Sequence, residues 1–322
     1  MAQDSQRRPL RLLVLSDDRP ANLTQALGLA EALARLCPAE IETREVRLKR
    51  WAEAVPNAAL APLAAAAIAG GIAEARPPDL VIGAGRRGNL AAFARARRGA
   101  RAVAVLDPHL PFARFAAVIL PEHDRRGGPG VIETLGAMNR LTPQAIAAAA
   151  RPFPDLPAPR LAVLIGGPSR SAGFGAVGLE ALLADLRRFE GWSLLATPSR
   201  RTPPLVVEAL RENLPGMWLW DGAGQNPYPG LLAAADAVLV TADSVNMASE
   251  AAATGKPVFV SGTPRPGSKH ARFHAALRAR GISRPAAEGP AEWRYTPLAE
   301  ADRVAGRLAA RLGFHPGGTG PI

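Results

Sequence analysis

The stretch from Val238 to Val260, VLVTADSVNMASEAAATGKPVFV, constrains the fold more than any other part of the chain. It opens on a β-branched apolar run, Ala237 to Val240, short enough for a buried strand. Thr241-Ala-Asp-Ser244 follows, a polar turn whose hydroxyls and carboxylate suit a helix N-cap. The Ala-, Met-, Ser- and Glu-rich residues after it predict a short helix. Gly255 stops that helix, Lys256-Pro257 blocks its continuation, and Val258 to Val260 begins a second buried strand. Strand, turn, helix, strand is one βαβ unit with a right-handed crossover. Open parallel sheets bind ligands at the carboxyl ends of their strands, beside helix N-termini. Glu250 lies near the second turn of the predicted helix, within reach of a ribose bound at that rim.

The same alternation runs through the rest of the chain. Leu10–Ser16, Ile41–Leu48, Asp79–Gly83, Arg101–Leu106 and Ala116–Leu120 read as strands, with helices between them, one over Leu23–Leu36 with Gln25 and Glu31 on its polar side. Trp51–Ala75 reads as a loop and an alanine-rich helix. Pro143 to Pro159 holds five prolines and reads as one helix followed by a stiff connection. The pattern then restarts with strands at Leu161–Ile165, Trp192–Thr197 and Met217–Trp220 and helices at Gly175–Glu190 and Pro203–Asn213. The prediction is two doubly wound, Rossmann-like α/β domains, 1–155 and 156–322. A last helix within Trp293–Leu312 is expected to pack back on the first.

Charge narrows the partners. The chain carries +11 from 39 basic and 28 acidic residues, and nearly all the basic residues are arginine. Such an excess attracts phosphates, nucleotides or an anionic membrane surface. Nucleic acid is disfavoured, because the arginines are scattered and aromatics make up only 5%. No apolar run reaches the roughly 20 residues that span a bilayer. The N-terminus runs straight into a strand without a signal-like apolar region. Cys37 is the single cysteine, so neither an intrachain disulfide nor a cysteine metal cluster is expected, and a reducing cytoplasm fits. The expected location is the cytoplasm, with peripheral contact at the inner membrane as an extension. The oligomeric state is not readable.

Several polar clusters close predicted strands. Gly166, Gly167, Ser169 and Arg170 form a Gly-rich turn before a helix, where backbone amides and a guanidinium can meet a diphosphate. The spacing is neither a Walker loop nor GxGxxG, and a purely structural turn is the competing reading. Ser199, Arg200 and Arg201 offer a helix cap and an anion clamp, or simply a solvated cap. Asn226 and Tyr228 sit in a proline-stiffened turn that presents the ring to a base or locks the turn. Thr241, Asp243, Ser244, Ser249 and Glu250 read as ligand contacts, or as helix capping with a solvated glutamate. In the first domain, Gly85, Arg86 and Arg87 suit acceptor or phosphate binding. His123, between Glu122 and Asp124, is the general-base candidate, against a structural histidine. His270 and His274 lie one helical turn apart without a third ligand, and no metal site is assigned.

Residues 238–260 resemble the donor-site motif of two-domain, GT-B type glycosyltransferases, which carry a Ser-Glu pair and then Gly-Lys-Pro. The whole chain resembles bacterial relatives of the plant mitochondrial-fission ELM family, through IGGPSRS, TPSRRTP, NPYPGLLAAAD and TADSVNMASEAAATGKPV between residues 165 and 258. The resemblance implies two domains facing a central cleft. It implies a nucleotide-sugar of the UDP type as substrate, no further cofactor, and metal-independent glycosyl transfer to an acceptor it leaves open, with a lipid or envelope precursor as the extension that the basic charge suggests. It gives Glu250 the ribose and the Gly166 loop the diphosphate. A membrane-associated scaffold and a degenerate nucleotide-binding protein are the alternatives it leaves open. The family loop after the first strand is rich in glycine and holds a histidine; here Asp17–Asn22 has neither. Asp17 or Asp18 then takes the base role, or transfer is lost.

Overall fold

Every apolar run singled out above is a strand in the computed structural model, which describes residues 8–72, 76–168, 176–315 and 318–319. Residues up to Arg140 and from Glu300 onward form one compact unit, and Leu141–Ala299 form a second.

The first unit runs β1 (Leu10–Ser16), α1 (Pro20–Leu36), β2 (Ala39–Glu45), α2 (Asn57–Leu60), α3 (Ala64–Ala67), β3 (Leu80–Ala84), α4 (Gly85–Ala96), β4 (Ala102–Val105), β5 (Ala117–Pro121) and β6 (Val131–Thr134). Its sheet has the order β2-β1-β3-β4-β5-β6, all parallel. Alternate residues of β1 enter opposite faces, as a period of two requires. Leu10, Leu12 and Val14 meet Leu29 and Leu33 of α1, whereas Leu13 and Leu15 meet Leu90 and Phe93 of α4. Both faces are therefore covered, which is why these strands read as unbroken apolar runs. Removing one such leucine side chain costs about 2–5 kcal/mol.

The second unit runs α5 (Pro143–Ala147), β7 (Arg160–Ile165), α6 (Ala176–Arg187), β8 (Ser193–Pro198), α7 (Pro204–Asn213), β9 (Trp218–Leu219), α8 (Tyr228–Ala234), β10 (Ala237–Thr241), α9 (Val245–Ala252), β11 (Val258–Ser261), α10 (Lys269–Ala279) and β12 (Ser283–Pro285). Its parallel sheet has the order β12-β11-β10-β7-β8-β9. Leu161, Val163 and Ile165 pack with Leu182 and Leu186 of α6 and with Phe189 just beyond its end. An aromatic chain extends that core: Phe189 meets Phe259 edge-on at 5.0 Å, and Phe259 meets Trp293 at 5.1 Å.

The chain then returns to the first unit through α11 (Glu300–Leu312), ahead of β13 (Phe314–His315) and β14 (Gly318–Thr319). Val304, Ala305, Leu308 and Ala309 of α11 join the α1 side of the core. The buried Glu300 carboxylate accepts from Leu135 N at 2.7 Å and from Arg303, tying α11 to the end of β6.

The structure differs from the sequence reading in particular places. The units divide at Arg140–Leu141 rather than at 155–156. Phe153 packs at a tilt against Trp218, ring centroids 5.4 Å apart, and the Ala150 carbonyl presses on Gly230, so the proline stretch is tied to the second unit. The alanine-rich helix expected within Trp51–Ala75 is broken among the described residues into the short α2 and α3, with Pro62 inside a 3₁₀ segment (Ala61–Leu63) between them. Helix α1 starts at Pro20, which takes the first-turn position where no N–H is needed. Gln25, read as exposed, is only 6% exposed. Strands β6 and β12 were not read from the sequence: each is a short edge strand, and β12 ends on a proline.

Candidate functional site

The carboxyl ends of β7, β8 and β10 knit into one polar cluster. Gly166 N donates to Thr241 Oγ1 at 2.8 Å, and Gly167 N donates to Asp243 Oδ2 at 2.8 Å. Glycine is required at both places. A Cβ on Gly166 would stand 2.1 Å from Asp243 Oδ2, and one on Gly167 would stand 2.2 Å from the Arg201 carbonyl. The amides foreseen as diphosphate donors are thus engaged by side chains from the end of β10. Arg201 lies 3.6 Å from Asp243 Oδ2 and donates to Pro168 O at 3.2 Å, while its side chain stays 48% exposed. Thr202 Oγ1 donates toward the carbonyls of Ile165 and Gly166 and accepts from Ser199 N at 2.8 Å. Ser199 therefore closes the turn; the residue before α7 is Pro203, which offers no side-chain cap. Arg200 is exposed beside this turn. Ser169 and Arg170 lie outside the described residues.

Helix α9 begins at the same edge. Ser244 caps it, its Oγ accepting from Met247 N at 3.3 Å. Ser249 is fully buried and donates back to Val245 O at 2.7 Å, a bond within its own helix. Glu250 is half-buried, and Tyr228 on α8 donates its hydroxyl to Glu250 Oε2 at 2.6 Å. Burial pushes the Glu250 carboxyl up to about 7, and the Tyr228 hydrogen bond opposes that rise. Burial, and then the Glu250 charge, hold the Tyr228 phenol well above its ordinary value. Lys256 is also part of the assembly. Its Nζ donates to Leu232 O at 2.7 Å and Ala233 O at 2.9 Å, capping the C-terminus of α8. Its backbone carbonyl accepts from Tyr295 Oη at 2.7 Å.

Behind β10, His274 Nε2 is 2.9 Å from Ala242 O. His270 is buried against the Asp243 backbone, and burial lowers its pKa. The two histidines brace this turn from α10.

The sequence profile described as mitochondrial fission ELM1 matches residues 20–312. The chain belongs to the mitochondrial fission ELM1 family. The mitochondrial fission protein ELM1 of Arabidopsis thaliana is 36% identical over 194 residues, 56% of this chain and 45% of that one, so the match spans less than half of the plant protein. An uncharacterised protein of Rickettsia prowazekii is 29% identical over 92% of this chain and 97% of its own. Among solved structures, UDP-GlcNAc 2-epimerase from Neisseria meningitidis bound to UDP-GlcNAc has a TM-score of 0.53 at 13% identity, covering 94% of this chain and 100% of that one. The glycosyltransferase SnogD from Streptomyces nogalater has a TM-score of 0.50 at 16% identity, covering 96% of both. At such identities the likeness establishes the fold, the GT-B type of two Rossmann-like units, and nothing finer.

In the family member's first unit the corresponding edge is built differently. Asp17 is buried, accepts from Asn22 Nδ2 at 2.9 Å and Arg19 N at 3.2 Å, and presses on Gly85, which takes φ 70°. Asp18 is exposed and 3.7 Å from Arg87. Arg86 donates to the carbonyls of Ala52, Glu53 and Val55 and so anchors the loop before α2. Arg87 lies 3.4 Å from Glu53. His123 is buried, with Nε2 3.9 Å from Asp124 Oδ1; Glu122 precedes it in a single 3₁₀ turn. Asn57 and Asn89, absent from the sequence reading, are buried here. Asn57 Nδ2 donates to Arg86 O at 2.9 Å, and Asn89 Nδ2 to Val105 O at 3.0 Å. Only their polar character within apolar surroundings signals them in the sequence.

Proposed function

We propose that the second unit binds a nucleotide-sugar of the UDP type, and that the chain transfers its glycosyl group to an acceptor without a metal ion. The observation that carries this is Glu250: a half-buried carboxylate held by Tyr228, six residues along a helix whose N-terminus opens on the Gly166–Asp243–Arg201 cluster. Ribose hydroxyls are donors, and a desolvated carboxylate is their natural acceptor. The α9 N-terminus together with Arg200 and Arg201 supplies charge for the diphosphate. The Gly166 and Gly167 amides contribute by fixing the turn, since Thr241 and Asp243 already use them. That UDP-GlcNAc is bound by a structural neighbour of the same fold, and that another is a glycosyltransferase, supports the substrate class.

The base for transfer falls to His123, Asp17 or Asp18, with Gly85, Arg86, Arg87, Glu122 and Asp124 around them. Of the three, Asp18 has the most exposed carboxylate, at 66%. The test is a thermal-shift panel of nucleotides and nucleotide-sugars on the wild type and on Glu250→Ala, followed by a sugar-release assay. A ligand at 100 times its Kd stabilises by about 2.7 kcal/mol, readily seen as a rise in Tm. A shift in the wild type that disappears in Glu250→Ala supports the site, and sugar release supports transfer. No shift with any nucleotide overturns both.

A second reading, a scaffold on an anionic membrane, is favoured by Trp51 and Leu63. Both lie between β2 and β3, are 48% and 54% exposed, and have Lys49, Arg50 and Arg97 nearby. Flotation with anionic but not neutral vesicles, lost in Trp51→Ser/Leu63→Ser, would favour it. No helix of the described residues is long and apolar enough to cross a membrane.

A further inference from the structure

We infer that Tyr228 is a positioning residue for Glu250, and that the Lys256–α8–Tyr228 assembly gives the site its preference for a ribonucleotide over the 2′-deoxy form. The inference rests on reading the second unit as a nucleotide-sugar site.

The sequence offers Tyr228 as a ring to stack on a base. The structure uses its hydroxyl instead, in a short bond to Glu250 Oε2 at 2.6 Å. The backbone that carries the ring is held at three points. At its start, Tyr228 N donates to Asn226 Oδ1 at 3.0 Å, and prolines flank the residue on both sides. In the middle, Gly230 lies so close to the Ala150 carbonyl that a Cβ would stand 2.1 Å away. At the end, Lys256 Nζ takes the carbonyls of Leu232 and Ala233. The lysine is itself fixed, its carbonyl accepting from Tyr295. A helix so pinned delivers the phenol to one place, and the phenol then fixes the carboxylate.

A carboxylate offers about four lone-pair sites. Tyr228 occupies one on Oε2 and holds the carboxylate in a fixed orientation, so that the sites left over would meet a ligand. A vicinal diol can fill what remains with two donors. A 2′-deoxyribose brings one, and a half-buried lone pair held in place then goes unmet. Sites built around a substrate hydroxyl reject the analogue lacking it for this reason. Without the phenol, Glu250 is free to rotate toward a single hydroxyl or toward water, and that penalty disappears. The Gly-Lys-Pro signature therefore acts at a distance: its lysine touches no ligand and works through α8.

The test is calorimetric titration of the full chain, as wild type, Tyr228→Phe and Lys256→Met, with UDP and with 2′-deoxy-UDP. The expected result is a wild-type preference for UDP of about tenfold or more, falling toward unity in Tyr228→Phe, with Lys256→Met in between. A merely structural role would weaken both ligands equally and leave the ratio intact. An unchanged ratio in Tyr228→Phe overturns the inference while leaving the nucleotide site standing. So does equal wild-type binding of the two nucleotides. If the wild type binds neither, the site reading itself falls. A melting curve of each variant keeps loss of fold separate from loss of preference.

Discussion

The two units share a parallel sheet of six strands and the same habit of ending strands in polar clusters, yet the two edges are invested differently. In the first unit, Arg86 is consumed by three loop carbonyls, His123 is buried, and Asp17 is spent on Asn22 and the Arg19 amide. In the second, Arg201 stays half-exposed although it is paired, Arg200 is exposed, and Glu250 keeps one oxygen clear of Tyr228. Shared topology places chemistry at an edge; whether it is available depends on how many neighbours have already claimed it. By that measure the second edge leaves Arg200 and Arg201 more accessible, as the proposed nucleotide site requires, while Arg86, His123 and Asp17 of the first mostly hold its own loops.

The strongest way to break this contrast is through the glycines. Gly88→Ala in the first unit puts a Cβ 2.2 Å from the Leu15 carbonyl, and Gly167→Ala in the second puts one 2.2 Å from that of Arg201. Each should lose about 1–3 kcal/mol in denaturant titration. Gly216→Ala, with nothing within 4 Å, should lose far less. Equal tolerance at all three would refute the close approach at both edges.

Next is Asp243→Ala, which strands the buried Gly167 amide and frees Arg201. A loss of about 1–3 kcal/mol is expected, together with weaker nucleotide binding; unchanged stability would mean that the carboxylate does not hold the turn. Lys256→Met should cost about 1 kcal/mol through the uncapped end of α8.

Acidity separates the edges more subtly. Burial raises the Glu250 carboxyl from 4.5 to about 7 in the folded chain. An acid whose folded pKa is raised favours the folded state while it is neutral, below its unfolded value. The advantage is lost as pH climbs from about 4.5 through about 7. Stability should thus decline across that window in the empty wild type and decline less in Glu250→Gln. Parallel pH profiles for the two proteins would contradict the burial of this carboxylate.

The smallest effect belongs to Arg35→Ala. It removes an exposed pair with Asp302 between α1 and α11, for which about 0.2–1 kcal/mol is the ordinary range. A larger loss would show that α11 depends on charge more than on Val304 and Leu308.

Much of this was legible in the sequence, because parallel strands buried on both faces leave unbroken apolar runs, and polar residues gather where those runs end. The organising βαβ unit and its Ser244 cap appear where the residues place them; α9 ends earlier than expected, at Ala252, ahead of Gly255, which takes φ 73°. What lay beyond reach were pairings made by packing. Tyr228 and Glu250 each stood out, but 22 residues separate them and only the seating of α8 joins them. Lys256 read as a helix stop because a side chain's reach to carbonyls a helix away leaves no local pattern. Ser199 looked like a cap, but Thr202 claims it and Pro203 takes the cap position. Arg86 looked available because a sequence does not show which carbonyls a loop will turn toward it.

Hydrogen exchange of the full chain, with and without UDP, tests the central contrast most directly. The account predicts that added nucleotide slows exchange across Thr241–Ala252 and at the start of α8, and leaves Gly85–Asn89 unchanged. Protection confined to the first unit, or none at saturating UDP, would contradict it.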